Sequence, residues 1–446
     1  MKALKTPRKC LIVLSAANSV EKQKTTSEGE SSSVFGTYIN RVRAFSRNAR
    51  LYLLSEAIYG TATGIFQLLF NFYVLSLGYN AAILGNMVAA RSMTSLIVAL
   101  PCGFLTNRIG RRNSIVISIA GFSASVVFML LFPSTLMFIA MNVVQGLAQA
   151  LSGVAMGPFL MENSKEAERT YLFSLASGMR MTAVSIGQWI GGYLPTWFAL
   201  RLAINAMDAQ SYSLSLWAVA LSGFLAVLPM LFIPNQVSAE AGRSAFAPVS
   251  FIRKHPGKFE RLILPTLITS VGAGLIMPFM NVFFRNVHQQ SDTSIGIIFA
   301  WGSLAMGLGL VVAPALAERF GKIQVVVGTQ ALSVPFLIML GFSPWFGIVL
   351  VAYYARTMLM NMSTPIYSTF VMEQVDPDSR GMLASLTSMA WNFGWALSPT
   401  ISGYLQVRHG FGPSFTLTIL LYSIAIGMYY VWFLRPKTIK AVQVSE

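Results

Sequence analysis

Cysteine is nearly absent from this chain. Cys10 and Cys102 are the only two in 446 residues, which excludes a disulfide framework and the clustered spacing of a metal or redox site. Histidine is as scarce. His255, His288 and His409 stand far apart, each in a stretch read as a loop, so there is no nucleophile beside its base and no acid–base cluster of an enzyme. Neither a metal nor a cofactor is expected. Charge is the third shortage: 11% of residues carry one, and acids are the rarer kind, 16 Asp and Glu against 32 Lys and Arg.

Apolar residues fill the space instead, at 54% of the chain with a mean hydropathy of +0.61. Such a composition, with charges missing from long stretches, belongs to a membrane protein. A helix crossing the hydrocarbon core needs about 20 mostly apolar residues. The sequence predicts twelve such spans, at 51–77, 82–105, 113–132, 135–160, 171–197, 212–233, 262–288, 293–316, 323–342, 345–371, 382–406 and 413–434. In a soluble protein a net charge of +16 would suggest nucleic acid. Here its distribution gives a simpler origin, because 26 of the 32 Lys and Arg fall in the tails and in alternate loops. Positive residues mark the cytoplasmic side, so both termini are expected inside, and no nucleic-acid partner is expected.

The first half of the chain recurs in the second at a constant offset. Arg108 matches Arg319 and Gly110 matches Gly321, a separation of 211. The same offset relates Glu162 to Glu373, Arg169 to Arg380, and Gly192-Tyr193-Leu194 to Gly403-Tyr404-Leu405. Six helices per half is an even number, so the second copy enters the membrane in the same sense as the first. The expected organisation is a cytoplasmic tail over 1–49, a six-helix half over 50–233, a cytoplasmic linker over 234–260, a second six-helix half over 261–435 and a short tail over 436–446. The first tail ends in "YINRVRAFSRNAR", where Ile39, Val42 and Phe45 alternate with arginines. That pattern suits either a segment resting on anionic lipid or plain positive-inside flanking charge.

Twelve helices, two halves and a basic hairpin after helix two resemble the major facilitator superfamily. Its signature there, Gly-x-Leu-Ala-Asp-Arg-x-Gly-Arg-Arg, is similar to Gly103-Phe104-Leu105-Thr106-Asn107-Arg108-Ile109-Gly110-Arg111-Arg112. A second signature, Glu followed by six residues and Arg, stands at Glu162 to Arg169 and at Glu373 to Arg380. The resemblance covers residues 50 to 435. It implies an all-α integral membrane protein, with twelve transmembrane helices as two parallel six-helix repeats, that moves a small organic solute by alternating access. It also implies that the hairpins form a cytoplasmic gate. In that gate Arg108, Arg111 and Arg112 reach carboxylates such as Glu162, while Glu318, Arg319, Gly321, Lys322 and Glu373 repeat the device. These pairs are expected to break as the halves rock apart. Asn107 stands where the family usually has Asp, so that position forms no ion pair.

Polar residues at helical spacing mark the expected cavity. Helix one carries Glu56, Gly60, Thr63, Gln67 and Asn71 on one face, and helix four carries Asn142, Gln145, Gln149 and Ser152. Helix ten adds Tyr353, Arg356, Met360 and Thr364 with Asn361, and helix eleven adds Ser388, Asn392 and Trp395 with Trp391. Gln188 joins this set. Helix-to-helix hydrogen bonding is the competing explanation for any one of them.

Four ionisable residues lie within spans: Glu56, Arg91, Arg180 and Arg356. Each costs roughly 2.5 to 3.5 kcal/mol on insertion scales unless paired or solvated. Arg180 lies eleven residues beyond Arg169, about 16 Å deep at the helical rise, and Arg356 is similarly placed. Arg91 and Glu56 are expected to snorkel to opposite surfaces.

Two mechanisms follow. In one, Glu56 carries a proton in exchange for a cationic or hydrogen-bonding solute. In the other, Arg180 and Arg356 clasp an organic anion for uptake or exchange, one guanidinium from each half. Comparison with the family's proton-coupled drug exporters is mixed. The helix-four arginine of their Arg-x-x-Gln-Gly is Asn142 here, and the proline of their helix-five motif is Gln188. Proton-coupled efflux by a monomer in the plasma membrane, or the inner membrane of a Gram-negative cell, is the leading expectation. A transport-inactive sensor of the same fold is a further alternative.

Overall fold

The computed structural model describes residues 45–165, 169–235, 256–375 and 380–434. Cys10, His255, the tails before 45 and beyond 434, and linker residues 236–255 lie outside the described residues, as does the side chain of Arg380. Among the described residues every regular element is helical. The first six are α1 (Arg47–Ser76), α2 (Ala81–Ile109), α3 (Arg111–Leu131), α4 (Thr135–Glu162), α5 (Arg169–Leu202) and α6 (Ala209–Leu231). Then come α7 (Pro256–Ile276), α8 (Asp292–Phe320), α9 (Lys322–Phe342), α10 (Phe346–Glu373), α11 (Arg380–His409) and α12 (Gly412–Tyr429). A 3-10 turn, Met277–Phe279, joins α7 to a short helical extension, Met280–Asn286.

Local chemistry sets these boundaries. Ser46, Asn80, Ser134 and Ser291 each accept a hydrogen bond from a first-turn amide of the helix that follows, satisfying donors that have no partner within the helix. Gly110 (φ 90°) and Gly321 (φ 91°) each end one helix and begin the next. A side chain at such a φ is strained, so glycine suits these turns. The 211-residue offset survives to the residue. The bounds of α2 reappear in α8 (292 − 81 = 211), those of α3 in α9 (322 − 111 = 211) and those of α4 in α10 (346 − 135 = 211).

Nine of the helices among the described residues are long and apolar enough to cross a membrane on length and composition alone. The other three, α5, α10 and α11, are no shorter, at 34, 28 and 30 residues. Two of them hold Arg180 and Arg356, and the polar stripes of helices ten and eleven also fall here. Neighbouring helices rather than lipid must meet such faces.

Within the first half α1 packs on α5 and α6, and α4 on α2 and α3; α7 to α12 repeat the scheme. Between the halves α2 packs on α11 and α5 on α8. The apolar core divides unevenly along the membrane axis. Far from the basic hairpins one cluster combines residues of both halves, such as Phe66, Phe72 and Tyr212 with Phe279, Phe284 and Phe415. Near the hairpins the core splits into one cluster around Tyr52 and Phe159 and another around Tyr367 and Val371. Phe45 is buried in the former, so it does not rest on lipid.

Candidate functional site

The split core leaves a cavity of about 840 Å³ between the halves. It reaches toward the basic end at Ser368, Met372 and Ser388 and stops at the other end below Asn71 and Asn281. The turn after α7 shapes that roof. Breaking the helix at Met277 frees the carbonyl of Pro278, which accepts from Asn71 Nδ2 at 2.8 Å. The same amide donates to Asn281 Oδ1 at 2.9 Å, and Asn281 Nδ2 donates to the Leu68 carbonyl at 2.8 Å. Thus α1 of one half is tied to the broken helix of the other.

Glycines let the backbones meet around this roof. A Cβ on Gly296 would lie 2.6 Å from the Gln188 carbonyl oxygen and 2.9 Å from Gly192 Cα. One on Gly403 would lie 2.9 Å from Ala82 Cα, and one on Gly85 would lie 2.8 Å from the Pro399 carbonyl carbon. These contacts obey the repeat, since Gly85 and Gly296, Gly192 and Gly403, and Gln188 and Pro399 are each 211 apart. The α5–α8 crossing and the α2–α11 crossing are therefore two copies of one seal. Hydrogen bonds from Thr293 Oγ1 to the Gly192 carbonyl (2.9 Å) and from Ser185 Oγ to the Ala300 carbonyl (3.0 Å) reinforce the first copy.

A charged cluster at the same end has no counterpart in the repeat. Arg285, from the α7 extension, pairs with Asp292 at the start of α8, and both meet Tyr212 of α6. The Tyr212 hydroxyl donates to Asp292 Oδ2 at 2.6 Å, and the Arg285 guanidinium lies 3.4 Å from the centroid of the Phe72 ring. Two elements of one half are thereby held to two of the other. The negative charge also suits the first turn of α8.

The basic end is arranged differently. Arg111 pairs with Glu162, and Lys322, its repeat mate, pairs with Glu373. Each pair joins two helices of the same half and is intact although the halves stand apart there. The expectation that these pairs break on separation is therefore corrected: they fasten each hairpin to its own half. Arg112 donates from Nε and Nη2 to the carbonyls of Met230 and Leu231, both at 2.9 Å, capping the end of α6. Arg108, Glu318 and Arg319 are exposed, while Gly103, Asn107 and Arg169 are half-buried. Among the described residues Glu318 enters none of the ion pairs, and Arg169 Nε is buried without a hydrogen-bond partner.

The membrane ionisable residues also sort differently from expectation. Glu56 is 7% exposed and lies 3.5 Å from Arg180 Nε, so it faces α5 instead of snorkelling. Arg180 does not line the cavity. Arg91 does, with its Nε buried and unpartnered, rather than reaching the outer surface. Arg356 lines it too, on the opposite half. The two cavity guanidiniums are therefore Arg91 and Arg356, in place of Arg180 and Arg356.

Of the polar stripes, Gln67, Asn71, Asn142, Gln188, Tyr353, Asn361, Trp391 and Trp395 line the cavity. Gln145 and Asn392 do not. Gln145 Nε2 donates to Ser125 Oγ on α3 at 3.0 Å, and Asn392 Nδ2 donates to the Ser388 carbonyl of its own helix at 3.0 Å. Sequence reasoning missed the methionines of the wall, Met87, Met277, Met280 and Met306, and Tyr422 of α12. An apolar stripe on a membrane helix carries no mark that separates cavity from lipid.

The sequence pattern of the Major Facilitator Superfamily matches residues 52–264 and 262–446. Multidrug resistance protein MdtG of Dickeya zeae (strain Ech586) is 23% identical over 411 residues, covering 88% of this chain and 96% of that protein. Tetracycline resistance protein, class C, of Escherichia coli is 26% identical over 322 residues, covering 68% of this chain and 76% of its own length. Among solved structures, the crystal structure of nucleoside transporter NupG is similar in fold, with a TM-score of 0.67 at 14% identity over 86% of this chain and 98% of that one.

Proposed function

The chain belongs to the major facilitator superfamily, and from that premise we propose that this membrane transporter exports a small organic solute by alternating access, in exchange for protons. The observation that carries the reading is the inequality of the two ends. One cavity is shared by both halves, sealed on one side by a joint core, two glycine crossings and the Arg285 cluster, and reaching on the other to Ser368 and Ser388, where the apolar core divides into separate clusters for the two halves. In this reading the basic end is cytoplasmic, since it gathers 26 of the 32 Lys and Arg, and both termini lie there. The cavity then opens to the cytoplasm, as an exporter awaiting its load requires. The resistance proteins among its relatives support the direction. Plasma membrane, or inner membrane in a Gram-negative cell, is the proposed location, and a monomer holds the whole pathway.

Coupling is assigned to the Glu56–Arg180 pair. It joins α1 to α5, and α5 also packs on α8 across the interface. Protonating Glu56 removes the charge that holds the guanidinium and lets α1 and α5 shift against each other. Glu56→Gln is expected to slow pH-gradient-driven efflux from proteoliposomes at least tenfold while solute counterflow at equal pH continues. Gradient-driven efflux at the wild-type rate would remove Glu56 from the coupling. Binding without any counterflow in the wild-type chain would instead indicate a sensor.

A further inference from the structure

We propose that the cavity is a binding site for amphipathic organic anions, clasped between Arg91 of the first half and Arg356 of the second. The inference rests on the transport reading only in making this cavity the substrate site. Its first support is the pattern of ion pairs. Four are formed among the described residues, Arg111–Glu162, Arg180–Glu56, Arg285–Asp292 and Lys322–Glu373. None of these eight residues lines the cavity. The cations that do line it, Arg91 and Arg356, have no acid beside them, and no Asp or Glu is among the described lining residues. Arg180 and Arg285, away from the cavity, each face an acid; in the cavity the fold leaves that place to something that enters.

Arg356 shows how incomplete its own shell is. It is 3% exposed. Nη2 donates to the Tyr422 hydroxyl at 3.2 Å, Nη1 faces the Met277 sulfur at 3.8 Å, and Nε has no partner. A phenol and a thioether are weak acceptors for a guanidinium, and a buried charge without compensation is expensive to keep. Arg91 Nε is likewise unpartnered, and Trp395 Nε1, a donor only, is buried in the same wall without an acceptor. Three donors from α2, α10 and α11 therefore lack acceptors that a carboxylate or sulfonate provides.

The rest of the wall selects the body of the ligand. Phe66, Phe70, Met87, Met306 and Trp391 give it apolar and aromatic faces, and methionines adapt to varied outlines. A compact inorganic anion would lose its hydration against those faces and gain little. A cation would meet two positive charges. An aromatic or alicyclic acid satisfies both parts of the site, and about 840 Å³ lies within the range of ligand pockets. Because Arg91 and Arg356 belong to opposite halves, one anion binding both draws the halves together, which is the occluding step. Export of an anion also runs with the inside-negative potential.

The test is equilibrium binding and thermal stabilisation of the purified full chain at pH 7 with four probes on one ring system: 2-naphthoate, 2-naphthalenesulfonate, neutral 2-naphthamide and cationic 2-naphthylmethylamine. The two anions are expected to raise Tm by mass action and to bind at least tenfold more tightly than the other two. Arg91→Gln and Arg356→Gln are each expected to weaken anion binding at least tenfold, with the amide unaffected. Amide or amine binding as tight as that of the anions would overturn the proposal. So would unchanged anion affinity in both variants, or no anion binding up to millimolar concentration. If Arg356→Gln does not fold, Arg91→Gln and the matched probes on the wild-type chain decide. Transport is not read in this assay, so a chain that binds the anions without moving them would sink the export reading and leave this inference standing.

Discussion

Replacing Gly296 with leucine is expected to hold open the end far from the basic hairpins and to reduce transport by one to two orders of magnitude. The Cβ alone would sit 2.6 Å from the Gln188 carbonyl oxygen and 2.9 Å from Gly192 Cα, and both obstacles are backbone. Neither can rotate away. Overpacking of this kind costs about 1–3 kcal/mol, and the cost falls only on the state in which α5 and α8 touch. A bias of that size displaces a two-state equilibrium about 5- to 150-fold. The check is the reaction rate of Gln67→Cys, which lines the cavity one helical turn below the roof, with a membrane-impermeant thiol reagent applied from that side. The rate should rise in the Gly296→Leu background. Gly85→Leu, its repeat mate on the α2–α11 crossing, should act in the same direction.

Asp292→Ala should displace the same equilibrium in the same direction. It leaves the largely buried Arg285 guanidinium without a counter-charge and the Tyr212 hydroxyl without its acceptor. Removing one partner of a buried pair costs about 3–5 kcal/mol, with the lower figure for a side chain that keeps 17% of its exposure, but both partners belong to the second half and that cost falls on both states. Tyr212 and Phe72 lie on one half and Arg285 and Asp292 on the other, so what falls only on the state closed at this end is the Tyr212–Asp292 bond and the seat that Asp292 gives Arg285 against Tyr212 and Phe72. Tyr212→Phe removes both cross-half hydrogen bonds of that hydroxyl, to Asp292 and from Arg285, and should shift the same accessibility assay by about 1.5–3 kcal/mol. Unchanged accessibility in both variants would mean that the cluster stabilises the second half alone.

Much of this is legible in the amino-acid sequence. The 211-residue offset, read from Arg108, Glu162 and Gly192 with their mates, reappears in the bounds of α2 to α4 against α8 to α10. Charge, turn and repeat signals agree there because each is local. What could not be read is which way a membrane helix faces at each depth. The stripe on α1 crosses two environments. Its lower part, Glu56 and Gly60, packs against Arg180 and Ala183 of α5, while Gln67 and Asn71 reach the cavity. Depth placed Arg180 and Arg356 together, but depth carries no azimuth, and α5 turns Arg180 toward Glu56. The hairpin pairs met their acids, yet within one half, since Glu162 ends the helix beside α3. The Arg285 cluster draws on positions 72, 212, 285 and 292, for which no spacing rule exists.

The central claim is that the two ends of the molecule open in opposition. Its most direct test is a pair of distance measurements by spin labelling in lipid, in a background without native cysteines. One pair, Arg108→Cys with Arg319→Cys, uses exposed positions at the basic end, and the other, Pro133→Cys with Pro344→Cys, uses exposed positions at the far end. Introducing Asp292→Ala should lengthen the 133–344 distance and shorten the 108–319 distance in the same sample. If the far end opens while the 108–319 distance stays as wide as before, the molecule has become a pore with both ends open, and the alternating-access account fails.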